Sequence, residues 1–193
     1  PIQNRDINQY LEIFYPIDFV VDTILQNSNI LISREELYKL FEKYKEEVLI
    51  SFTHSSMSAK NNETYEFFGD KTLGYAVNEY LKDNYIINNV STEVLNDYHR
   101  TFTSGRIAHD LFVPKLQLRK VLIISEEVED DYKALKDMVE SFIGMVDDII
   151  NKYVKYSGIV VCCNIVENIL DTVNWEDYED EAFPPKTKLK EIY

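Results

Sequence analysis

The run ETYEFFGDKTLGYAVNEYLKD, Glu63 to Asp83, limits the folds open to this chain more than any other stretch. Wound as a helix at about 100° per residue, it places Asp70, Leu73, Val77, Tyr80 and Leu81 within roughly 60° of Glu66. Lys71, Asn78 and Lys82 gather on another side, with Phe67 and Phe68 elsewhere around the rod. A helix this apolar around its circumference belongs in the middle of a helical assembly. Yet Glu66 and Asp70 share the apolar stripe and not the lysine face. Ionised carboxylates are costly to bury without compensation. Either these two reach solvent near the helix N-terminus, where the helix dipole favours negative charge, or they face a cation.

The rest of the chain reads as helical too. Five Gly and five Pro in 193 residues favour long helices over a turn-rich β architecture, and no alternating strand pattern stands out. INQYLEIF and DFVVDTIL carry helix-like apolar spacing, so residues 1–33 form a helical N-terminal extension. SREELYKLFEKYKEEVL reads as a helix opened by a capping box of Ser33 and Glu36, with Leu37, Leu40, Phe41 and Tyr44 as its apolar stripe. SFTHSSMSAKNN is loop-like. Further helices are expected over about 92–111, 132–153 and 158–173, with Pro114 limiting the segment after the first of these. The expectation is all-α, with a main domain over 34–173 and an acidic linker over 174–184.

A second acidic pair, Asp137 and Glu140, lies in KALKDMVESFIGMVDDII. A spacing of three puts both on one face with Gly144, opposite Leu135, Val139, Phe142 and Val146. Periodicity alone makes that face a polar exterior, and acidic pairs recur by chance in a chain of net charge −14. Four carboxylates from two helices would nevertheless suit Mg²⁺, a hard ion that takes oxygen ligands. No D-x-D-x-D-G calcium loop is present. His54, in THSS, has no nucleophile elbow beside it and reads as a hydrogen-bonded structural histidine. His99 and His109 have no metal spacing with a cysteine. The adjacent Cys162 and Cys163 read as small buried residues, which favours an intracellular, cytoplasmic setting; no apolar run is long enough for a membrane span.

Three blocks in order resemble the ribonuclease III family. NETYEFFGDKTLGYAVNEYL is similar to that family's NERLEFLGDAVL signature, LISFTHSS to its L-x-x-ALTH-x-S, and KALKDMVESFIGMVDD to its K-x-x-x-D-x-x-E-A/S-x-x-G block. The resemblance implies a ribonuclease III-type helical endonuclease domain acting as a homodimer on double-stranded RNA. Its products would carry 5′-phosphate and 3′-hydroxyl ends. Carried over by position, Glu66, Asp70, Asp137 and Glu140 are the catalytic, metal-binding carboxylates for Mg²⁺, with Mn²⁺ able to substitute. Glu63 is an accessory acid.

The acidic net charge argues against nucleic-acid binding, because phosphate contacts need Lys and Arg. The closing FPPKTKLKEIY eases that objection. It resembles the P-K-T-x-L-x-E entry of a double-stranded RNA-binding domain, so 185–193 would begin such a domain with Lys186, Lys188 and Lys190 as RNA-binding residues. Lys71 and Thr72 depart from the small and apolar residues of the signature, and TEVLNDYHRTFTSGRIAHDL matches its block loosely. An alternative is therefore a catalytically inactive ribonuclease III-like dimer serving RNA binding or assembly.

Overall fold

Two long helices, α4 (Glu63–Tyr85) and α8 (Tyr132–Tyr153), organise the molecule in the computed structural model, which describes residues 16–85 and 90–173. Around them run α1 (Pro16–Asn27), α2 (Arg34–Lys43), α3 (Lys45–Ser51), α5 (Thr92–Phe102), α6 (Gly105–Ile107), α7 (Val113–Lys115) and α9 (Ser157–Leu170). A π-helical turn, Ala108–Phe112, links α6 to α7, and a 3-10 turn follows at Leu118–Lys120. No strand is formed among the described residues; one isolated parallel bridge joins Thr53 to Ile123. The fold is all-α, as expected. Lys186, Lys188, Lys190, the acidic linker and the INQYLEIF segment lie outside the described residues.

The most extensive contact is between α4 and α8, and α9 packs on both. Its cause is a pair of glycines. A Cβ on Gly69 would stand 1.7 Å from the Glu140 carbonyl oxygen, and one on Gly144 would stand 2.3 Å from the Tyr65 carbonyl oxygen. The two backbones therefore touch, which only residues without a side chain permit. From Ala134 to Val146, α8 is buried on nearly every side. Leu135, Met138, Val139, Phe142 and Val146 are fully covered, each contributing roughly 1.5–3 kcal/mol of burial.

The capping box at Ser33 is present as read: its hydroxyl accepts from the Glu36 amide while the Glu36 carboxylate accepts from the Ser33 amide. That helix nevertheless ends at Lys43. Tyr44, at φ −113° and ψ 32°, breaks the rod so that α3 turns and buries Val48 and Leu49. α1 carries Ile17, Val20, Val21 and Ile24 into the same core, so the described part of the N-terminal stretch packs with the rest of the molecule. The helix expected over 92–111 divides at Thr103, and Ser104 caps a second start by accepting from the Ile107 amide. Pro114 does not stop this second piece: the π turn immediately before it loosens the ladder that a proline ring would clash with.

Candidate metal centre

The glycine crossing fixes what its neighbours can meet. Glu66 lies one turn before Gly69, and Glu140 one turn before Gly144, so the close approach brings their side chains to the same side. Glu66, Asp137 and Glu140 each offer a carboxylate oxygen, and the three oxygens lie within 4.8 Å of one another. Asp137 is 5% exposed and Glu140 is 4% exposed. That overturns the polar exterior expected from periodicity: α4 covers the face of α8 opposite its apolar stripe, so both faces of α8 are interior.

Asp70, on α4, is exposed, and its carboxylate pairs with Lys71 and not with the three-residue cluster. Glu63 is exposed at the first turn of α4, its amide donating to Asn61 Oδ1 at 3.0 Å. The sequence reading missed two lysines on α8. Lys133 Nζ stands 3.1 Å from Asp137 Oδ2. Lys136 Nζ bonds Glu140 Oε1, with that carboxylate side chain 6% exposed. Spacing of four on one helix was the available signal for both pairs.

The electrostatics follow from crowding. Burial, then the charges of Asp137 and Glu140, hold the Glu66 carboxyl above the ordinary glutamate value. Burial also raises Glu140, with the Lys136 bond pulling the other way. For Lys136, burial acts downward, but the Glu140 bond and charge outweigh it and the ammonium is held above its usual value. Such a cluster attracts cations, and its all-oxygen donor set fits a hard divalent ion.

His54 borders the centre without joining it. Its Nδ1 accepts from the Ser56 amide at 3.2 Å and lies 2.9 Å from Ser56 Oγ, which accepts from the Ser125 amide at 3.1 Å. Through Ser56 the ring thus ties the 51–62 turn to the backbone at Ser125, as a structural histidine would. Burial lowers its pKa.

No family model matches the chain. In sequence it is 27% identical over 157 residues to ribonuclease 3 of Methylococcus capsulatus, covering 74% of this chain. The chain spans 60% of that protein's length. In structure it is similar to the nuclease domain of ribonuclease III from Campylobacter jejuni, with a TM-score of 0.54 and 21% identity. That likeness covers 69% of this chain and 97% of the other, a domain with structural flexibility in its region involved in dimer formation. The fold is that of a ribonuclease III nuclease domain. The resemblance read from the three sequence blocks is thus met in both comparisons.

Within this ribonuclease III-type fold the two departures in the signature have structural partners. Lys71 pairs with Asp70, and the Thr72 hydroxyl donates to Asp147 Oδ2 at 3.3 Å. Among the described residues no helix is long and apolar enough to cross a membrane.

Proposed function

We propose that the chain is the catalytic part of a divalent-metal-dependent endoribonuclease that cleaves double-stranded RNA to 5′-phosphate and 3′-hydroxyl products. The observation that carries this reading is the convergence of Glu66, Asp137 and Glu140 from two crossing helices in a ribonuclease III-type fold. These three carboxylates, with Asp70 as the fourth ligand on the rim, would hold Mg²⁺ or Mn²⁺. When bound, the ion supplies an acidified water and a Lewis acid for charge on the leaving oxygen. The chain's own contribution is rigidity. Asp137 and Glu140 are pinned in the interior, and Glu66 is carried to them by the Gly69–Gly144 contact. Glu63 stands at the entrance to α4 as an accessory acid.

The same reading includes a homodimer. Phe67 and Phe68 are 63% and 60% exposed beside the centre, in edge-to-face contact with each other, and a second copy would cover them. RNA affinity would come largely from residues after the nuclease domain, including Lys186, Lys188 and Lys190. A second reading, an inactive dimeric RNA-binding or assembly module, is favoured by one observation: Asp70 is engaged by Lys71.

Incubation of the chain with end-labelled double-stranded RNA at low salt, with Mg²⁺ or with EDTA, separates the two. Metal-dependent products bearing 5′-phosphates, lost on Glu140→Gln and on Asp70→Asn, support the nuclease. Cleavage by both variants at the parent rate would refute the site. A blank for the parent chain and for a longer chain carrying the RNA-binding segment would favour the inactive module.

A further inference from the structure

Lys136 and Lys133, the two lysines of the centre, are placed differently. The Lys136 side chain is 33% exposed, whereas that of Lys133, one turn earlier, is 86% exposed. A Cβ on Gly105 would lie 3.4 Å from Lys136 Cδ and 3.5 Å from the Tyr132 ring, so the lysine stem runs along the start of α6 beside that ring. This leaves little freedom for the ammonium, which bonds the buried Glu140 carboxylate. Glu140 is also one of the three converging acids.

Resting on the metal-centre reading above, we propose that Lys136 is a built-in counter-ion of the centre: its ammonium occupies Glu140 until a divalent cation displaces it. A buried carboxylate left alone is strongly disfavoured, and the Lys136 ion pair compensates and orients Glu140 in the metal-free protein. A divalent ion and an ammonium on the same carboxylate repel each other, so loading the centre requires Lys136 to move off. A monovalent ion gains nothing by the exchange, since it replaces one positive charge with another. A divalent ion gains one charge. Lys136 therefore lowers cation affinity and sets the centre against monovalent ions. It is a positioning residue, acting through Glu140. Lys133, whose own side chain stands largely in solvent, holds its carboxylate less firmly, because water and salt weaken an exposed ammonium's attraction.

The test is Mn²⁺ binding to the whole chain without RNA, read by calorimetry and by the spectrum of free Mn²⁺. The proteins are the parent, Lys136→Met, Lys136→Gln and Lys136→Arg, with Glu140→Gln as the site control. Removing the competing charge should tighten Mn²⁺ binding about tenfold in Lys136→Met and Lys136→Gln, while Lys136→Arg stays near the parent. The Mn²⁺-induced rise in melting temperature should be larger in the two neutral variants than in the parent. Lys136→Gln keeps a polar head group, so the test survives if Lys136→Met fails to fold. Neutral variants that bind Mn²⁺ no tighter than the parent, with Glu140→Gln weaker than both, would overturn the counter-ion role and leave the metal centre standing. Parent and variants that all bind Mn²⁺ as poorly as Glu140→Gln would overturn the metal centre, and the counter-ion role with it.

Discussion

Two partly buried carboxylate groups lie on the same pair of helices, one on each side of the glycine crossing, and they are handled differently. Toward the start of α8, Glu66, Asp137 and Glu140 crowd together and meet two lysines. Toward its end, Asp147 is held by neutral donors. Thr72 Oγ1 donates to its Oδ2 at 3.3 Å, and Asn151 Nδ2 donates to its Oδ1 at 2.9 Å. Asn151 in turn accepts from the Gly158 amide at 2.9 Å, which ties in α9. Burial raises the Asp147 carboxyl, and the Thr72 and Asn151 bonds oppose that rise. A carboxylate held by neutral hydrogen bonds joins helices together. Several carboxylates that crowd one another, matched by two lysines a divalent ion can displace, leave a place for a metal. Burial of acid is common to both, so it is the crowding that marks the functional side.

Both groups depend on Gly69 and Gly144, so the largest effect comes from the crossing itself. A Cβ on Gly144 would lie 2.3 Å from a backbone oxygen and 2.9 Å from the Gly69 nitrogen, and neither atom can swing aside. Gly144→Ala should force α4 from α8 and cost about 3 kcal/mol or more, at the upper end of overpacking effects. Urea unfolding measures the loss. Mn²⁺ binding should fall with it, because Glu66 is moved away from Asp137 and Glu140. A Gly144→Ala protein of parental stability would show that the backbones are not in contact.

The next largest effect separates the two carboxylate groups. Asp147→Ala leaves the Thr72 and Asn151 side chains without their acceptor and should cost about 1–2 kcal/mol, while Mn²⁺ affinity stays at the parental value. Chemical denaturation and a metal titration of the same sample decide it. Asp147→Ala losing metal affinity at parental stability would reverse the assignment of the two groups.

How much of this was legible in sequence depends on how many faces of a helix are used. The α4 wheel was readable because its polar residues Lys71, Asn78 and Lys82 are exposed while Leu73, Val77, Tyr80 and Leu81 are buried. The α8 wheel was misleading: Leu135, Val139, Phe142 and Val146 define one buried face, and Asp137 and Glu140 sit on another that α4 covers. Periodicity reports which face is apolar and not which face is covered. Gly144 shared the carboxylate face and Gly69 lay between Glu66 and Asp70, yet their contact is a property of two helices meeting and neither helix states it alone. The family resemblance, not spacing, singled out Asp137 and Glu140. It also grouped Asp70 with the other three, whereas its side chain turns to Lys71. The break at Tyr44 was hidden because the apolar spacing runs on through it, and only the packing of Val48 and Leu49 requires the turn.

The smallest effect concerns the charge balance of the cluster in the absence of metal. Among the described residues Glu66 forms no ion pair; Asp137, Glu140, Lys133 and Lys136 face it from α8. Burial and the two like charges place its pKa above the unfolded value, so the folded state holds this proton more tightly than the unfolded state. The sign follows from linkage. Below the ordinary glutamate range Glu66 is protonated in both states and contributes no penalty. As pH rises through that range toward the raised folded value, the parent chain loses stability. Glu66→Gln has no such proton to lose. In EDTA at neutral pH it should therefore be more stable than the parent by less than about 1 kcal/mol, since solvent screens a partly exposed group. The difference should vanish below the ordinary glutamate range. Added Mg²⁺ should reverse the order, because the parent gains binding free energy that the amide cannot supply. Melting curves in EDTA and in Mg²⁺ across pH test both signs. A Glu66→Gln protein less stable than the parent in EDTA at neutral pH would mean that the cluster is already balanced by its lysines, and the contrast with Asp147 would disappear.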